Sequence, residues 1–89
     1  MSNVNDTQYF KVSQDESENN VEKVLDAVCH AMIEKGYNPQ SQIVGYIMSG
    51  DPTYITSHKG ARSMIMKLER DEILEELMHY YLENRINRR

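Results

Sequence analysis

Apolar residues recur at helical spacing in several stretches of the chain. Val21, Val24, Leu25, Val28, Cys29, Met32 and Ile33 follow steps of three and one, the repeat of a helix with a single apolar face. This pattern predicts a first helix over about 18–35, with Ser17 as N-cap, Glu18 and Glu22 at the positive end of its dipole, and Lys35-Gly36 as its stop. Asn38-Pro39 opens a second helix, Ile43, Val44, Ile47 and Met48 form its stripe, and Gly50 ends it. Gly45 inside that helix costs about 1 kcal/mol relative to Ala. Its presence points either to another backbone passing close by or to weak tuning of stability.

Asp51-Pro52 repeats the cap-then-Pro signal, predicting a short helical turn through Tyr54 and then a loop from Ile55 to Gly60. Ala61, Met64, Ile65 and Leu68 mark a third helix over about 60–69. Ile73, Leu74, Leu77, Met78, Tyr81 and Leu82 mark a fourth over about 71–84. Glu69-Arg70-Asp71-Glu72 holds no helix breaker, so a single bent helix over 60–84 is the alternative. No window alternates apolar and polar residues long enough for a strand. The expected fold is all-α: a small bundle of about four helices plus a short helical turn over 18–84, with a basic tail at 85–89.

Residues 1–17 are polar and without period, and are expected to form a flexible, disordered arm that cannot bury enough apolar area to order itself. Tyr9, Phe10 and Val12 make a short apolar island in it, which either docks on the domain or serves as a recognition handle.

The length of 89 residues suits one small domain, and no apolar run approaches the ~20 residues needed to span a bilayer. The first residues lack the basic and apolar blocks of a signal peptide, and the lone Cys29 fits a reducing compartment, so the expected location is cytoplasmic. The fourth helix is more apolar than one buried stripe requires. Because each large side chain left in water forgoes about 1.5–3 kcal/mol, self-association is expected. A homodimer through Leu74, Leu77, Met78, Tyr81 and Leu82 follows.

Charge and chemistry narrow the function. Lys+Arg number 10 against 14 Asp+Glu, a net −4, which opposes a nucleic acid backbone. A helix-turn-helix reader using His58, Lys59, Arg62, Lys67 and Arg70 is the alternative, although its intervening segment is longer than the tight turn of that motif. His30, His58 and His79 lack the companions of a metal site, and Cys29 lacks a neighbour that would activate it. No catalytic residue, cofactor or metal is expected. Thr7 is an exposed hydroxyl of the kind a protein kinase takes, but Ser2, Ser13 and Ser17 share that exposure.

The blocks EKGYNPQSQIVGYIMSGDPTYI at 34–55, AR at 61–62 and LERDEILEELMHYYL at 68–82 resemble the IreB family of regulatory phosphoproteins. The resemblance implies a helical homodimer with a disordered N-terminal arm. It also implies a cytosolic substrate of a transmembrane Ser/Thr kinase bearing extracellular cell-wall-sensing repeats, and of its opposing phosphatase, in the response to cell-wall stress. The family's phosphoacceptor is a Thr three residues ahead of a Phe, a pattern that Thr7 and Phe10 match. Thr7 is then the acceptor and Phe10 the kinase-recognition handle. Val4 stands where some members have a second Thr, so no second acceptor carries over. The downstream protein partner is not named by the resemblance.

Overall fold

The computed structural model describes residues 20–87. Ser17 as a cap, the apolar island and the expected arm lie outside those residues. Among them the regular structure is all helical, without a strand. Helix α1 runs over 20–34, α2 over Pro39–Ser49, α3 over Ala61–Ile65 and α4 over Arg70–Tyr81, the last continuing as a π-helical segment over Leu82–Ile86.

Helix α1 supplies the largest share of the core. Val21, Leu25, Val28 and Met32 lie along the centre of its apolar face and are buried, with Val24 and Cys29 packed at the margins. That centre line puts Ala31 inside and carries Ile33 to the far edge, where it is 61% exposed, contrary to its expected place in the face. The helix stops in a Schellman arrangement. Gly36 takes φ 85°, a conformation a side chain disfavours. Its N–H donates to Ile33 O at 3.0 Å and the Tyr37 N–H to Met32 O at 2.9 Å.

Asn38 caps α2 as the sequence predicts, its Oδ1 accepting from the Ser41 N–H at 3.1 Å, and Gly50 closes the helix in the left-handed region. The buried stripe differs from expectation: Ile43 and Tyr46 are buried with Ile47 beside them, whereas Val44 and Met48 are exposed. The 3-10 turn Pro52–Tyr54 folds back over α2, and the Tyr54 ring lies against Gly45, where a Cβ would collide with it. The close neighbour of Gly45 is therefore a side chain, not a backbone.

After that turn, Ile55 is extended and fully buried, and its carbonyl accepts from Arg62 Nε at 2.8 Å. The stretch expected as loop ends in a second 3-10 turn, His58–Gly60, with Lys59 at φ 53°. Helix α3 is shorter than expected. The chain tightens after Ile65 so that Leu68 turns back into the core, and Glu69 then adopts an extended conformation (φ −76°, ψ 145°). This rules out one bent helix over 60–84. Glu72 makes the break affordable: its Oε1 accepts from the Glu69 N–H at 2.9 Å, half of a capping box. Helix α4 fastens to the core through Ile73, its one buried residue.

Candidate functional site

The most distinctive surface is α4 itself. Leu74, Leu77, Met78, Tyr80 and Tyr81 are between 41% and 65% exposed, and Leu82 and Ile86 on the π-helical segment are open as well. Helical geometry divides them. Ile73, Leu77 and Tyr80 share the side facing α1, while Leu74, Met78 and Tyr81 lie about a quarter-turn round, facing outward. The sequence-predicted interface residues Leu74, Leu77, Met78, Tyr81 and Leu82 thus all reach the surface but do not form one patch. The Asn87 N–H donates to Leu82 O at 2.8 Å, the five-residue step of a π turn, so the winding passes the expected end near 84 and carries Ile86 along.

Between α1 and α4 runs a cleft of about 430 Å³, lined by Glu22, Leu25, Asp26 and Cys29 on one side and Glu76, Leu77 and Tyr80 on the other. Its lining joins apolar side chains to carboxylates. Burial pushes the Cys29 thiol above its ordinary pKa, helped by the charge of Asp26, which disfavours the thiolate. No sequence pattern marks this cleft, because it depends on how two distant helices lie together.

A polar cluster joins α1 to the second 3-10 turn. Glu34, at the last turn of α1, accepts from His58 Nε2 at 2.9 Å and Lys59 Nζ at 3.2 Å. A carboxylate at the negative end of a helix is unfavourable by itself. His58, then Lys59, reverse that and hold the Glu34 carboxyl below its ordinary range. Asp51 is held low in the same direction, chiefly by the Thr53 N–H and then the Thr53 hydroxyl. His30 is exposed, its Nδ1 2.7 Å from Asp26 O. Among the described residues no group of three or more His, Cys, Asp or Glu is placed to hold a metal ion, and no helix is long and apolar enough to cross a membrane.

Three of the basic residues considered for nucleic acid contact, Lys59, Arg62 and Arg70, are tied into the fold. Arg62 Nε is held by Ile55 O, and Arg70 donates from Nη1 to Ile47 O at 2.9 Å in the last turn of α2. Helix α3 has five residues, roughly 7–8 Å of axis, too little to lie along a major groove. Thr7 and Phe10 lie outside the described residues.

The family model described as IreB regulatory phosphoprotein matches residues 5–83. The chain belongs to the IreB family. Two curated relatives agree with that membership. A UPF0297 protein of Lachnoclostridium phytofermentans is 65% identical over 89 residues, covering the whole of both chains. A UPF0297 protein of Ruminiclostridium cellulolyticum is 56% identical over 84 residues, 94% of each chain. The IreB match begins ahead of α1 and so takes in both Thr7 and Phe10.

Proposed function

We propose that the chain is a non-enzymatic regulatory adaptor of the cytoplasm. Its helical domain pairs with a second copy through the outward face of α4. A transmembrane Ser/Thr kinase phosphorylates Thr7, a phosphatase removes the group, and the modification changes which downstream protein the dimer binds in cell-wall stress signalling. The observation that carries the reading is the family match running through Thr7 and Phe10 into the helical domain. The apolar outward face of α4 supports the pairing. A phosphate on Thr7 brings about −1.5 to −2 charge and three strong acceptors, enough to alter docking on an already acidic N-terminal half.

The test is phosphate mapping with a kinase that carries cell-wall-sensing extracellular repeats. Wild-type chain is labelled at Thr7, Thr7→Ala loses the label, and Phe10→Ala slows labelling. Labelling of Thr7→Ala at the wild-type rate discards the assignment.

A further inference from the structure

The cleft between α1 and α4 is lined by the apolar side chains of Leu25, Cys29, Leu77 and Tyr80, with Glu22 and Asp26 joining them from α1. A groove so built fits an occupant with aromatic or aliphatic side chains beside a cation. A second copy meets this requirement poorly, since a chain of net charge −4 brings more acid to these carboxylates. Pairing also has the outward face of α4, where Leu74, Met78 and Tyr81 stand exposed away from the cleft.

One stretch of the chain itself has the required chemistry. In residues 1–19, Lys11 is the sole base, and it sits between Phe10 and Val12 with Tyr9 alongside. Residues 13–19 join Val12 to α1 and span at most roughly 25 Å when extended. From Glu22 to Cys29 the axis of α1 rises about 10 Å. The connection is long enough for the segment to double back and lie anywhere along the cleft, at the low closure cost of a short tether.

We propose that the cleft is the docking site of the chain's own segment Tyr9–Val12, with Phe10 against the apolar lining of Leu25, Leu77 and Tyr80 and the Lys11 ammonium paired with Glu22 and Asp26. The contact goes beyond the function proposed above and stands whichever hydroxyl is the phosphoacceptor. If Thr7 is that acceptor, docking withholds Phe10 from the kinase, so the undocked fraction sets the rate of modification.

Cys29 reports on the cleft, because it lines it and is the chain's sole cysteine. The full-length chain is labelled with a maleimide at neutral pH, alongside full-length Phe10→Ala and Lys11→Glu. Both substitutions lie outside the helical domain, and circular dichroism checks that its helicity is unchanged. The expected result is Cys29 labelling faster in each variant by on the order of tenfold, the change produced when about 1.4 kcal/mol of docking free energy is lost. Protection of the wild type should not depend on protein concentration. Equal rates in the wild type and either variant overturn the proposal. Protection that fades on dilution also overturns it and assigns the cleft to a second copy.

Discussion

The Tyr54 ring occupies the space that a side chain at Gly45 would need. The pair fixes the 3-10 turn Pro52–Tyr54 against α2 through contact with bare helix backbone. Helix propensity alone favours Gly45→Ala by about 1 kcal/mol. The collision reverses that sign, because the whole ring must move, and overpacking of this kind costs about 1–3 kcal/mol. Gly45→Ala is therefore expected to lower the urea midpoint. The double variant Gly45→Ala/Tyr54→Ala should lose less than the two single losses added together. Strict additivity in that cycle would show that the ring and the glycine do not interact.

Arg70 begins α4 yet serves α2. Its guanidinium donates to Ile47 O and covers Gly50, satisfying a carbonyl that the end of α2 leaves open. Arg70→Ala should destabilise by roughly 1–2 kcal/mol, the worth of a charge-assisted hydrogen bond reduced by exposure. Arg70→Lys should recover little, since a point charge lacks the planar group that covers the glycine. Full recovery by Lys in thermal melts would argue that charge at the helix end is all that matters.

Helix α4 offers a direct contrast between holding the fold and presenting a surface. Ile73→Ala removes the one buried anchor of that helix and should cost about 2–5 kcal/mol, a large part of the stability of a domain this small. Met78→Asp changes a residue that is 52% exposed and should leave the helicity of the fold nearly unchanged. In sedimentation it should shift the protein from two copies to one. If Met78→Asp and wild type sediment alike, the outward face of α4 is not where copies meet.

Acid should weaken the fold through two carboxyls. Glu34 and Asp51 are both held below their ordinary range in the folded chain. A depressed carboxyl contributes stability that is present above its unfolded value, about pH 4, and lost as pH falls through the lower folded one. Urea midpoints measured from about pH 5 down to pH 2 should therefore decline. Glu34→Gln and Asp51→Asn should each flatten that decline. Both groups face solvent, so each effect is small, and an unchanged slope in the double variant would show that the acid limb arises elsewhere.

The caps were legible because they are local. Asn38-Pro39, Asp51-Pro52 and Lys35-Gly36 stop or start helices by hydrogen bonds among near neighbours, and the sequence carries every participant. What depended on distant contacts was misread. Val44 and Met48 look as apolar as Ile43, but packing in the shared core selects the side of α2 that carries Ile43, Tyr46 and Ile47. Glu69 looks like ordinary helix, and only the need to bring Leu68 inward, with Glu72 as a local acceptor, turns it into a break. The residues of the α4 surface were readable as an excess of apolar positions. Their division between cleft and outward face was not, since it depends on where α1 lies.

The π-helical segment sets a phase. In an ordinary α-helix, residues four apart drift steadily round the axis, so the series Leu74, Met78, Leu82, Ile86 would wander away from its starting line. The wider turn over Leu82–Ile86 advances less per residue and swings Ile86 back beneath Met78. Alignment along this edge is thus a matter of chain count as much as side-chain type. Removing a single residue between Leu82 and Ile86 would rotate everything beyond it while leaving the composition of the edge almost intact.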